Sequence, residues 1–294
     1  MKYAFFKGCK IPYYLEQYGT STRAVLKTFR VRLVDLDFNC CGYPSRDLNF
    51  ESFMLSAARN IALAEKNNLD ILTPCKCCYG SLKYAMHHLY QNERLRRDIN
   101  EELAGEGLMW EGKIKVKHLL TVLCDDIGLP AIYASIKNPL GGIAIAAHYG
   151  CHALRPSNVV HFDDPLAPSI FEDLISATGA KPVDWPRRLD CCGNPLWGKN
   201  NAVSLALMRT KIRDAVESGA DCICTACTYC QMQFDSIQSS ELQGPETSGI
   251  PSILYTQLLG ISMGLPERVL GIRKNIIQHE KLRPRWGAGD LIRR

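Results

Sequence analysis

The chain has 294 residues, 46% of them hydrophobic and 22% charged, a composition typical of a globular protein with room for two domains. It holds no run of 18 apolar residues, and its opening MKYAFFKGCK is too soon interrupted by lysine for a secretory signal; a cytoplasmic protein without a membrane span is expected. The formal charge of +5 sits in residues 266–294, with eight Lys/Arg against three Asp/Glu, and the rest balances at 27 against 27, so no basic stripe interleaved with aromatics points to nucleic acid.

In chain order, short apolar runs alternate with longer segments of helical period, the pattern of βαβ units and parallel sheets. The first predicted strand, 2–6, runs into Cys9 through YAFFKGC. The second, 31–35, precedes Cys40-Cys41-Gly42. After a helical stretch that contains Arg59, the third, 70–73, runs into Cys75-Lys76-Cys77-Cys78, and the fourth, 114–117, is followed by His118. Residues 130–142, ending in NPLGG, read as a join, which divides the chain into domains 1–138 and 139–294.

Beyond the join the order repeats. Predicted strand 143–147 leads into His148, Cys151 and His152; strand 181–184 precedes Cys191-Cys192-Gly193. Strand 221–225 leads into Cys227 and Cys230, and strand 251–254 into Tyr255. NCCGYP at 39–44 parallels DCCGNP at 190–195, so the expected fold is α/β, two similar βαβ-type domains with short parallel sheets flanked by helices, related by internal duplication. Every motif cysteine then follows a strand, where ligands of open parallel sheets collect. His118 and Tyr255 become possible neighbours of the site, with plain core roles as the alternative.

Fourteen cysteines in a chain expected in a reducing compartment argue for metal or redox chemistry over a disulfide framework. Each half offers five: Cys9, Cys40, Cys41, Cys75 and Cys78, then Cys151, Cys191, Cys192, Cys227 and Cys230. Structural zinc takes four ligands and would leave one thiolate of each quintet unused. A multi-iron sulfur cluster accommodates five, since a thiolate can bridge two irons. A vicinal disulfide at either Cys-Cys pair is the strained covalent alternative. Gly42 and Gly193 would let the backbone turn closely around a cluster.

Four cysteines lie outside the quintets. Cys222 and Cys224 alternate on a predicted strand and read as small core residues, and Cys124 reads as a structural residue of a helical segment. Cys77 is open between substitute ligand and reactive thiol. The basic tail, with Arg283, Arg285, Arg293 and Arg294 around Trp286, is either a solvated end or a dock for an acidic partner.

The doubled Cys…Cys-Cys-Gly…CxxC pattern, with the words YAFFKGC, CYGSL, HYGCH and CQMQFD, resembles the CCG-domain proteins, and among them the B subunit of heterodisulfide reductase, over nearly the whole chain. The resemblance implies that each quintet holds a noncubane [4Fe-4S] cluster and that a disulfide binds between the two. It implies an oxidoreductase acting on a sulfur group, cleaving an S–S bond with one electron from each cluster or oxidising sulfur substrates in reverse. His152 is the expected proton donor, a histidine satisfied by local backbone being the alternative. No ferredoxin-type CxxCxxCxxxCP run is present. Electrons would therefore pass through partners, by resemblance the ferredoxin-like C subunit and the flavin-containing A subunit of such a complex.

The stretch CCGYPSRDLNFESF departs from what methanogen subunits carry after this pair, which leaves the substrate open between the coenzyme M–coenzyme B disulfide and another disulfide, thiol or persulfide. Two other readings stand beside the enzyme: an iron–sulfur electron-transfer subunit of another dehydrogenase complex, and a zinc-stabilised scaffold.

Overall fold

A computed structural model describes residues 1–242 and 249–282; the arginines of the basic tail from 283 onward, with Trp286, lie outside the described residues. Among the described residues, eight strands form two four-stranded, wholly parallel sheets. The first contains β1 (Lys2–Phe5), β2 (Arg32–Val34), β3 (Ile71–Thr73) and β4 (Val116–His118) in the order β2-β1-β3-β4. The second contains β5 (Ala144–His148), β6 (Lys181–Val183), β7 (Cys222–Thr225) and β8 (Ser252–Leu254) in the order β6-β5-β7-β8. Each expected strand is present within two residues of its expected bounds.

Their sequences explain their places. β3 and β7 lie inside their sheets with every residue buried, which is why they read as continuous apolar runs without alternation. Cys222 and Cys224 are fully buried there, as expected of small core residues. β6 carries Pro182, tolerable because this strand lies at an edge.

Register makes the repeat visible at the level of residues. Ala4 pairs with Ile71 in the first sheet and Ala146 with Ile223 in the second, so positions near β1 and β5 correspond at an offset of 142. The helices Phe50–Lys66 and Asn201–Glu217 correspond at an offset of 151, and each starts on an asparagine cap: Asn49 accepts from the Ser52 amide and Asn200 from the Val203 amide. Gly42 and Gly193 adopt φ of +79° and +92°, and a Cβ on either would sit within 3.0 Å of a backbone carbonyl of these helices, that of Phe53 or Ser204. Only glycine lets the Cys-Cys turn lie that close to its helix.

The halves interlock. The Glu16–Thr28 helix packs on the Tyr255–Ser262 helix, where the hydroxyls of Ser21 and Thr256 hydrogen-bond at 2.7 Å. The Lys76–Gln91 helix packs on Ser157–Val160, and Tyr79 donates its hydroxyl to the Val160 carbonyl at 2.6 Å. The Leu129–Ser135 helix, which takes up the first half of the segment read as the join, lies against the Ile170–Ala177 helix of the second half. Among the described residues no helix is long and apolar enough to cross a membrane.

Candidate metal centre

In each sheet the chain leaves the central strand to one side and returns on the other, so the loops after β1 and β3, and after β5 and β7, flank a switch point where ligands bind in open α/β sheets. Those loops carry Cys9 and Cys75 in one half, Cys151 and Cys227 in the other. Cys75 and Cys227 stand at the N-caps of helices, with Cys78 and Cys230 one turn on, so each CxxC turns both sulfurs to one side. The Cys-Cys pairs arrive from the loops after the edge strands.

All fourteen cysteines are free. In the first half the thiols form a continuous chain of sulfur contacts: Cys9 to Cys40 at 3.8 Å, then Cys41, Cys78 and Cys75. The second half repeats it as Cys151, Cys191, Cys192, Cys230 and Cys227. The two chains meet at their buried ends, where Cys75 Sγ lies 3.9 Å from Cys227 Sγ. Cys77 joins this seam at 3.8 Å from Cys227.

These separations are far beyond a disulfide bond length. They are direct contacts between free thiols, and in the second set all five cysteines, together with Cys77, Lys76 and His152, line one small pocket. The electrostatics agree. Cys40 is held low by its hydrogen bonding with Cys41 and Cys9, while Cys9 and Cys41 are pushed up by theirs with Cys40. Cys191 is likewise held low by Cys151 and Cys192. Burial pushes Cys227 up, but hydrogen bonds from Cys230, Cys75 and Cys77 outweigh it and hold it low. Such crowded thiols cannot all ionise unaided, because like charges in contact oppose one another. A cationic centre of several irons would relieve that repulsion and engage five thiolates at once, so the donor set fits the group.

Glycines fit the cradle closely. Gly8 and Gly150 both adopt positive φ, at +62° and +68°, and a Cβ on Gly8 would stand 2.8 Å from Cys78 Sγ.

His152 lies where the sulfurs of both halves come together: Nδ1 is 3.4 Å from Cys151 Sγ and 3.5 Å from Cys77 Sγ, and its ring packs edge-on against Tyr43. Burial pushes its pKa down, favouring the neutral ring. His118 is wholly buried. Its Nδ1 accepts the Leu120 amide, so Nε2 carries the proton and donates to the carbonyls of Pro74 and Ala226, each at 3.2 Å. Those are the residues immediately before Cys75 and Cys227. Tyr255, by contrast, is a core residue whose hydroxyl donates to the Leu174 carbonyl. Cys124 is half-buried on a helical segment.

Two site residues, Lys76 and Lys211, escaped sequence reasoning, and a third, His148, was noted beside Cys151 but passed over for His152. His148 is buried at the end of β5, with Nε2 3.2 Å from Cys230 Sγ. Lys76, buried between the CxxC cysteines, crosses into the other half: its ammonium donates to the His148 carbonyl at 3.0 Å and lies over the rings of Tyr149 and Phe171. Lys211, also buried, donates to the Arg187 carbonyl and lies 4.6 Å from the Trp185 ring. Burial pushes both lysines down to about 8. Lys76 was visible as the unusual cation inside CKCC; Lys211 gave no signal, because a helical lysine ordinarily faces water.

A duplicated parallel α/β fold with a doubled cysteine cradle defines a class, and the comparisons agree with it. The family model of the CCG cysteine-rich domain matches residues 3–83 and 145–235. The chain is 34% identical over 285 residues, 95% of this chain and 94% of the relative, to the B subunit of the ferredoxin/F(420)H(2)-dependent CoB-CoM heterodisulfide reductase of Methanosarcina acetivorans. It is 35% identical to a protein of Archaeoglobus profundus described as like the B subunit of heterodisulfide reductase, covering 92% of this chain and 94% of that one. It is 30% identical to the membrane anchor subunit of the 8-methylmenaquinol:fumarate reductase of Wolinella succinogenes, covering 96% and 99%. A solved structure of a hypothetical protein from Helicobacter pylori shares the fold, with a TM-score of 0.75 at 17% identity, over 94% of this chain and 52% of that one. The chain belongs to the family of heterodisulfide reductase B subunits, which are tandem CCG-domain proteins.

Proposed function

We propose that the chain is the cluster-bearing subunit of a cytoplasmic heterodisulfide reductase-type complex and performs two-electron thiol/disulfide chemistry. The halves 1–138 and 139–294 each hold one noncubane [4Fe-4S] cluster. Cys9, Cys40, Cys41, Cys75 and Cys78 hold the first; Cys151, Cys191, Cys192, Cys227 and Cys230 hold the second. The observation that carries this reading is the meeting of the two thiol chains at Cys75 and Cys227, which sets the two sites side by side.

When bound, the two clusters would supply one electron each, matching the two-electron demand of an S–S bond. The chain's residues do the rest. The Gly8 and Gly150 turns keep the cradles free of side chains, and His118 holds the two CxxC loops in register. His152, beside Cys77 and Cys151, is placed to give a proton at Nδ1 to a departing thiolate, once it has picked one up. Tyr43 and Tyr229 pack edge to face beside it and limit water. Electrons come from a ferredoxin-like C subunit linked to a flavin-containing A subunit, and the substrate is a disulfide, thiol or persulfide.

The decisive experiment is anaerobic purification with iron and sulfide counts and EPR on addition of thiol. About eight irons per chain and a thiol-sensitive signal are expected. Zinc without sulfide would sink the reading. A second reading is favoured by the Wolinella relative, whose name places it in a fumarate reductase: a chain that only carries electrons. Clusters insensitive to every thiol and disulfide tested would move that reading ahead.

A further inference from the structure

The duplication lets the two sites be compared residue by residue, and their surroundings differ in charge. Lys211 corresponds, at the helix offset of 151, to Asn60, whose amide donates to the Cys40 carbonyl. His148 corresponds, at the strand offset of 142, to Phe6. The residue after the first cysteine of each CxxC reaches across the seam: Lys76 of the first half points into the second, and Thr228 of the second half points back, with Oγ1 3.1 Å from Cys75 Sγ. At three corresponding places the second site therefore meets an ammonium, an ammonium and an imidazole nitrogen. The first meets an amide, a hydroxyl and a phenyl ring.

The carboxylates nearby do not reverse this. Glu172 and Asp190 act on the two lysines, but Glu172 is tied up by Tyr149 and Arg188, and Asp190 is half-exposed and paired with Arg187. Near the first site the cations include Lys10, which lies only part-buried in the helical turn after Cys9, and Arg46, part-buried and paired with Asp47, both screened by water. Buried charges act through a low dielectric and exposed ones do not. Adding an electron makes a site more negative, so buried cations and a hydrogen bond to the ligating sulfur favour the reduced state.

We propose that the C-terminal site has the higher reduction potential and that an electron reaching this chain resides there first, with Lys211, Lys76 and His148 as the positioning residues that set the difference. This rests on the two-cluster reading and adds an order of filling to it.

Single-cluster variants test it: Cys41→Ser to keep the C-terminal cluster and Cys192→Ser to keep the N-terminal one, each titrated anaerobically with dithionite and followed by EPR. The cluster that remains in Cys41→Ser should show the higher midpoint. Lys211→Met added to that variant should lower its reduced-to-oxidised ratio at fixed poise about tenfold, about 59 mV for one electron, while Lys211→Arg restores it. Lys211→Met added to Cys192→Ser should change nothing. Should Lys211→Met fail to fold, Lys76→Met must give the same one-sided shift. An equal or reversed order of midpoints, or equal shifts in both backgrounds, overturns the inference while leaving the two-cluster reading intact. Variants that hold neither iron nor sulfide overturn both.

Discussion

His118 ties the carbonyls of Pro74 and Ala226 to one ring nitrogen, so one side chain positions the backbone of Cys75 and Cys227. Burial, reinforced by the Lys76 ammonium, pushes its pKa down to about 3. Between that value and the ordinary 6.5 the unfolded chain binds a proton that the folded chain does not. Stability is therefore lost as pH falls below about 6.5, by roughly 1.4 kcal/mol per pH unit from this group alone. A His118→Gln variant keeps an amide donor without the titration, and its chemical-denaturation midpoint should fall less steeply with decreasing pH than that of the wild type. Gly8 offers a second test at this scale. Both Gly8→Ala and Gly150→Ala pay about 1–2 kcal/mol for a positive φ, but only the first drives a methyl against a cysteine sulfur, Cys78 Sγ; a Cβ on Gly150 meets His148 Nε2 at 3.4 Å and Cys230 Sγ at 3.5 Å, ordinary contacts. Iron per chain should fall by about half in the first variant and stay near wild type in the second.

The paired helices Phe50–Lys66 and Asn201–Glu217 back the two Cys-Cys turns, so their caps bear on the sites. Asn49→Ala and Asn200→Ala should each cost about 1 kcal/mol, read by chemical denaturation, since each leaves a first-turn amide unsatisfied. Elements of this kind were legible in the amino-acid order. β3 and β7 announce themselves as apolar runs that end in CxxC, and the Cys-Cys-Gly turns appear twice at equivalent places. What could not be read is what crosses between elements. His148 meets Cys230 across 82 positions, and Lys76 finds its partners in the other half. Local periodicity carries no information about such pairings, because they depend on how two finished sheets are set against each other. Lys211 stayed hidden for a further reason: its burial is compensated by a carbonyl and an indole ring, neither of which marks the sequence around it.

At the scale of the molecule the halves do not behave as beads on a string. Gly80, in the helix that follows Cys75, has no room for a Cβ: one would lie 2.7 Å from the His152 carbonyl oxygen. Gly80→Ala should force the halves apart, cost roughly 1–3 kcal/mol, and alter the EPR signals of both sites together, where a local defect would alter one. The exchange of Lys76 and Thr228 across the seam has an evolutionary consequence. Two identical half-length chains paired about a twofold axis would place the same residue at both of these positions, and every change near one centre would be copied at the other. Joining the halves in one gene releases that constraint. Codon 76 and codon 228 can then drift separately, so a matched pair of centres can become a donor and an acceptor with no change of fold.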